Sequence, residues 1–414
     1  MPFELTNTMK NYCGACGSTD VRPFYRVDCV PVHSVINIYS HAEAIAFPSG
    51  DLELAVCAKC GFVFNRRFDP QNMHYCSQCE ETQGFSPTFS KWHRNLARKM
   101  VERYHLHGKS IIEIGCGKGE FLSMLCEIGG NRGVGFDPAY IPERNRSAAT
   151  ERIEFIQDLY SEKYTAYQAD LVCCKMTLEH IDEPLAFLQM VRRAIGDKKE
   201  TTVFFQVPDV RRVLTETAFW DIYYEHCCYF SLGSLARTME EAGFAVMNLT
   251  SDYDGQYIMV DARPANDSKP SKLAAQNDLG AVMDEVRSFE KESAKRISEW
   301  RCDFARIKRE GRRVVLWGSG SKGVSFLSTI GVGGAIEYVV DINPHRQGTY
   351  MAGNGQRVVS PEFLVDYQPD TVLVMNDVYL NEIGEDLARM GLRPELKAVC
   401  GKTAAVPAVR RSYA

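Results

Sequence analysis

The sequence predicts an α/β protein. A doubly wound parallel sheet occupies the middle of the chain, a small cysteine-rich domain precedes it, and a second, Rossmann-like α/β unit follows. Three observations carry this expectation. Short apolar strands alternate with helical patterns from Ile111 onward, as the crossovers of a parallel sheet require. Two glycine-rich turns, at 115–119 and 318–323, each follow a strand and open a helix. Residues 1–90 are turn-rich and hold three Cys-x2-Cys pairs. At 414 residues the chain can form two to three domains, each with its own core.

Cys13-Gly-Ala-Cys16 and Cys57-Ala-Lys-Cys60 are forty residues apart, and Cys76-Ser-Gln-Cys79 follows fifteen later. A Cys-x2-Cys turn presents two thiolates from one tight loop, and two such turns complete the tetrahedron of a closed structural zinc site. The gap between the second and third pairs also fits a zinc ribbon. Local residues favour the first two pairs. Gly17 and Gly61 follow their second cysteines, where the chain must turn so that N–H groups point at sulfur, whereas Glu80 takes that place in the third pair. The expected ligands of a structural Zn2+ are therefore Cys13, Cys16, Cys57 and Cys60. The segment between these pairs has no Lys/Arg cluster, which argues against a nucleic-acid role.

From Phe89 to Tyr104 apolar residues recur at helical spacing, with Phe89, Trp92, Leu96 and Met100 on one face. The strands IIEIG, GVGF, IEFIQ, ADLVCCK and TVFFQVP follow, with helices between them. The first runs straight into Gly115-Cys-Gly117-Lys-Gly119. Glycines without Cβ let a ligand approach the mouth of a helix, and Asp137, after GVGF, can accept from ribose hydroxyls. An acid inside the strand, Glu113, and a third glycine only two residues after the second depart from the dinucleotide form. This spacing resembles the first motif of class I S-adenosylmethionine (SAM) methyltransferases. On that resemblance the backbone of Gly115, Gly117 and Gly119 would meet the methionine part of SAM, with Glu113 near its amino group. Asp158, at the end of the third strand, would meet the adenine.

The bulk composition excludes several classes. A net charge of −5 provides no basic field for nucleic acid or membrane. No apolar run approaches the roughly 20 residues of a membrane span, and the first residues lack a signal-peptide pattern. Fifteen cysteines, several inside apolar strands, fit a reducing compartment, so the expectation is a cytoplasmic monomer or homodimer. Residues 264–272 (PANDSKPSK) have linker composition. A stripe of Val282, Val286, Phe289, Ala294, Ile297, Trp300, Phe304 and Ile307 marks a long helix. It is read as packed between domains in preference to a dimer seam.

Beyond the fifth strand lies Tyr223-Tyr224-Glu225-His226. Deprotonating a carbon acid needs a base with a pKa near ambient pH, which imidazole supplies. A carboxylate can set the tautomer of that base, and a phenol can donate to a developing enolate oxygen. The two cysteine knuckles, EIGCGKG, LEHI (178–181), YYEHCCYF (223–230), GSGSKG and DINPHRQGTY occur in that order. In this the chain is similar to the three-domain C-methyltransferases that act on nucleotide-linked deoxysugars, over nearly its whole length. The resemblance implies SAM as cofactor and a nucleotide-linked keto-sugar, or a related small molecule, as substrate. It implies His226 as the base, with Glu225, Tyr223 and His180 around it, and Tyr75 as a further active-site tyrosine. The segment VMNDVYLNEI differs from the tryptophan-containing motif of the antibiotic-sugar members, so the sugar itself stays open.

Gly318-Ser-Gly320-Ser-Lys322-Gly323, with Asp341 ending the next strand, reads by itself as a dinucleotide fingerprint. An NAD-dependent oxidoreductase is thus the rival enzyme class, and an O- or N-methyltransferase of another small molecule is the alternative among SAM enzymes. The resemblance assigns this loop to the substrate nucleotide, with Gly320 and Lys322 near phosphate. A loop that binds nothing is a third reading. The expected domains are 1–88 for zinc, 89–263 for SAM, 264–310 for linker and long helix, and 311–414 for the substrate nucleotide.

Overall fold

The computed structural model describes residues 9–265, 273, 276–332 and 334–407. All of the linker segment beyond Ala265 lies outside them. Three sheets organise the chain. In the middle one the strands run Phe244–Asp252, Tyr257–Pro264, Thr202–Pro208, Leu171–Lys175, Ser110–Ile114, Arg132–Phe136 and Ile153–Ile156. The last five are parallel, Tyr257–Pro264 runs antiparallel to them, and Phe244–Asp252 pairs antiparallel with Tyr257–Pro264 at the edge. This is the class I SAM methyltransferase sheet. Leu171–Lys175 and Thr202–Pro208 are apolar almost throughout because helices cover both of their faces.

The antiparallel hairpin is a sheet element that the strand-by-strand reading did not include. Its turn carries Tyr253, Asp254 and Gly255 at positive φ. Ser110–Ile114 has Arg132–Phe136 on one side and Leu171–Lys175 on the other. Strand order therefore reverses at that point, and the crevice beyond the strand ends there is where ligands bind in such sheets.

The C-terminal sheet repeats the logic. Arg357–Val359, Ile336–Val340, Val314–Trp317, Thr371–Val374 and Glu395–Ala398 are parallel neighbours, with Thr403–Ala404 antiparallel at the edge. The N-terminal sheet contains Val21–Pro31, Ser49–Cys57 and Val63–Asn65, and its fourth strand is Cys228–Tyr229. That strand comes from the YYEHCCYF motif, which the sequence places with the middle sheet. Tyr229 pairs with Val63 and Cys228 with Phe64, all four buried, so the motif covers an apolar edge that would otherwise be open.

The long helix spans Leu279–Glu310. Phe289 packs edge-on against Phe24 and Tyr25 of the N-terminal sheet, while Trp300 and Phe304 pack on Phe326 of the C-terminal unit. Ser293 rather than Ala294 is the buried residue in the middle of the stripe. Its apolar face is thus used within the chain, as a strut between two sheets. Among the described residues no helix is long and apolar enough to cross a membrane.

Candidate active site

The Sγ atoms of Cys13, Cys16, Cys57 and Cys60 lie within 4.8 Å of one another. Cys13 is 3.6 Å from Cys60, and Cys16 is 3.7 Å from Cys57. Thiolates at about 2.3 Å from a tetrahedral zinc stand about 3.8 Å apart, so this donor set fits Zn2+. Both turns are built alike. Gly17 and Gly61 have φ of 71° and donate to the carbonyls of Cys13 and Cys57 at 2.8 Å. Cys76 and Cys79 lie elsewhere, with Cys79 Sγ 3.9 Å from His33 Nε2.

The first glycine loop lies in the crevice of the middle sheet. Gly115, Gly117 and Gly119 have φ between 54° and 78°, and a Cβ at Gly115 would stand 2.0 Å from Thr177 Oγ1. Only glycine fits there, and a backbone bare of side chains is what close approach by the methionine end of SAM would require. Asp137 ties the loops together: Oδ2 accepts from the Gly117 N–H at 2.8 Å and Oδ1 from Ala139 at 2.7 Å. Glu113 braces strand to helix, accepting from the Leu122 N–H at 2.9 Å, and burial pushes its carboxyl up to about 8. Asp158 is held in a local turn by Lys163, by Tyr164 Oη at 2.6 Å and by the Leu159 N–H at 2.8 Å.

Around His226 the structure gathers Tyr223, with ring centroids 4.1 Å apart, and His180, edge-on at 4.7 Å. His226 is buried, and burial followed by the neighbouring His180 pushes its pKa well below the usual imidazole value. The ring is therefore neutral at ordinary pH and able to accept a proton. His180 Nδ1 lies 3.0 Å from the Glu225 carbonyl oxygen and 2.9 Å from Tyr75 Oη. Donation to the carbonyl puts the hydrogen on Nδ1 and leaves Nε2 as the acceptor. Tyr75 thus joins the cluster from the N-terminal segment.

Glu225 departs from its expected role. Its carboxylate turns away from His226 to His33, whose Nδ1 is 2.8 Å from Oε2, with each side chain 2% exposed. Oε1 accepts from Ser34 through both N–H and hydroxyl, and from Ser321 Oγ at 3.4 Å. Burial disfavours charge on both partners, but their attraction outweighs it, so His33 is raised and Glu225 lowered. A buried pair of this kind fixes geometry across segments that are distant in the chain.

A cavity of about 270 Å3 joins this cluster to the second glycine loop. Tyr223 and His226 line it together with Gly318, Gly320, Ser321 and Lys322. Lys322 Nζ sits 2.9 Å from Asp221 Oδ1 and 3.2 Å from Gln256 Oε1. A Cβ at Gly323 would lie 2.5 Å from the Gly318 carbonyl oxygen, so only glycine lets the helix pack this closely on the loop.

Two family models match: a methyltransferase domain over residues 88–249 and a C-methyltransferase C-terminal domain over residues 266–393. The C-methyltransferase NovU of Streptomyces niveus is 28% identical over 349 residues, covering 80% of this chain and 81% of its own. The chain is a SAM-dependent methyltransferase that carries the C-methyltransferase C-terminal domain. An ubiquinone biosynthesis O-methyltransferase of Citrobacter koseri is 25% identical over 24% of this chain and 43% of its own. Among solved structures, a SAM-dependent methyltransferase from Aquifex aeolicus is 16% identical. It covers 44% of this chain and 94% of its own, with a TM-score of 0.33.

Several residues of this methyltransferase's site were not singled out from sequence. His33 and Ser34 carry no motif, and only the fold brings them to Glu225. Arg346, inside DINPHRQGTY, is buried and donates to the carbonyls of Glu80 at 2.7 Å, Ser319 at 2.8 Å and Ser34 at 3.3 Å. Glu80 in turn accepts from Arg144 at 2.6 Å and from Asn343 at 3.0 Å. The segments of Ser34, Glu80, Arg144, Ser319 and Arg346 are thereby fastened together.

If the 115–119 loop holds SAM, Asp137→Ala removes a charged acceptor beside it and leaves the Gly117 and Ala139 N–H groups unpaired. SAM affinity should fall by about 1.5–3 kcal/mol, as read by isothermal titration calorimetry. Unchanged affinity would place the ribose elsewhere.

Proposed function

We propose that this SAM-dependent C-methyltransferase methylates a carbon next to a ketone on a nucleotide-linked sugar, with His226 as the base. The observation that carries this reading is the single cavity lined both by His226 and by the Gly318–Gly323 loop. Such a space suits a substrate with two chemically different ends: a carbon acid beside the imidazole and a phosphate beside backbone N–H groups and Lys322. When bound, SAM supplies the activated methyl group. His226, neutral and facing the cavity, takes the proton from the carbon. Tyr223, 4.1 Å from it ring to ring, donates to the oxygen on which charge develops. His180, held by the Glu225 carbonyl, keeps the neighbouring ring in place. Structural zinc at the four cysteines holds the sheet to which the 223–230 motif is added.

The test supplies SAM labelled with carbon-13 in the methyl group and a panel of nucleoside-diphosphate keto-sugars. The expected product carries the labelled methyl on carbon, adjacent to the carbonyl, by carbon–proton correlation spectra. A methyl on oxygen or nitrogen would overturn the reading.

A further inference from the structure

With Glu225 committed to His33, Ser34 and Ser321, the base lacks the carboxylate that would set its tautomer. Glu179 lies on the short turn Leu178–His180, just beyond the strand Leu171–Lys175 at the switch of the middle sheet. It is 1% exposed, and among the described residues neither of its carboxyl oxygens has a hydrogen-bond partner. A carboxyl oxygen of Glu179 and ring nitrogens of His180 and His226 all lie within 4.8 Å of one another. A buried polar group without a partner is costly to keep, and this one is aimed at the base.

We propose that Glu179, and not Glu225, is the carboxylate that positions His226, accepting the hydrogen of one imidazole nitrogen so that the other presents its lone pair to the cavity. The proposal rests on the reading of His226 as the base. Such an arrangement holds the imidazole in one tautomer and stabilises the imidazolium that forms. Glu179 is a positioning residue, since it acts through His226.

Its titration gives the arrangement a signature. Glu179 is faced by Lys175 from its own strand side, by His180 and His226, and by Tyr75, Tyr223 and Tyr257 from three further segments. Burial raises its carboxyl to about 8, opposed by the nearby Glu179 backbone N–H and then by Lys175. Below that pH the protonated acid is a donor and favours the opposite tautomer of His226. Above it the carboxylate accepts, so the base-competent form grows as pH rises.

The test is nitrogen-15 histidine NMR of the full-length protein, without acceptor, from about pH 6 to about pH 9.5. The His226 signals are those missing from His226→Asn. In wild type they should change tautomer with a midpoint near 8, and in Glu179→Gln that midpoint should vanish. A His226 tautomer that stays constant over this range in wild type, a result that needs no variant to fold, would overturn the proposal. So would an unchanged midpoint in Glu179→Gln. Turnover separates the two ideas. Methylation that survives in His226→Asn removes the base itself, whereas a tautomer indifferent to Glu179 removes only this role.

Discussion

His226→Asn should lower kcat by roughly 10²–10⁴-fold, the usual worth of a positioned general base, while SAM affinity and thermal stability stay near wild type. The substitution keeps a polar side chain of smaller volume but removes the group that can hold a proton. The His226 ring packs against the rings of Tyr223, His180 and Tyr229, away from the glycine loop at 115–119 proposed to hold SAM, so cofactor binding has no reason to change. Depression of its pKa by burial means the ring starts neutral, and the loss should persist across the neutral range. Solvent exchange gives an independent measurement. With S-adenosylhomocysteine in place of SAM, wild type can wash deuterium from water into the carbon next to the ketone, and His226→Asn should not. Undiminished methylation by His226→Asn would place the base elsewhere, with His180 the next candidate because its Nε2 is left as an acceptor.

Local signals were legible in the sequence because their physics is local. A glycine loop between strand and helix must sit at the end of its strand, and Gly115, Gly117 and Gly119 do. Cys-x2-Cys-Gly turns carry their own geometry, and the four sulfurs converge accordingly. The five parallel strands of the middle sheet show as apolar runs because both of their faces are covered. The pairing of Glu225 was not legible, since adjacency in sequence put it beside His226 while the fold turned it to His33. Adjacent residues on an extended or turning backbone point in different directions, so a Glu-His dipeptide seldom makes a dyad with itself. Arg346 and Glu179 were hidden for a related reason. Each stands inside a motif that was quoted, but its value lies in burial and in partners from distant segments, which no local pattern encodes. The destination of Cys228–Tyr229 was equally hidden, because an apolar strand does not name the sheet edge that it covers.

Cys57→Ser should abolish zinc binding and unfold or loosen the N-terminal sheet, the second large effect expected. Closed zinc sites in small domains contribute apparent free energies of about 10–16 kcal/mol, and that binding energy is folding energy. Cys57 ends the strand Ser49–Cys57, its N–H donates to the Phe62 carbonyl at 2.8 Å, and the adjoining strand Val63–Asn65 carries Cys228–Tyr229 on its far side. Arg237, from the helix Leu232–Glu241, donates twice to the Cys60 carbonyl, at 2.8 and 3.1 Å, so the second knuckle is also tied to the middle of the chain. A disordered knuckle would therefore be felt at His226, two residues before the added strand. Metal analysis should find one zinc per chain in wild type and none in Cys57→Ser, with methyl transfer falling alongside. The double variant Cys76→Ser/Cys79→Ser should keep its zinc, because Cys79 lies against His33 and outside the sulfur cluster. Should the double variant lose the metal while Cys13→Ser retains it, the ligands are instead Cys57, Cys60, Cys76 and Cys79.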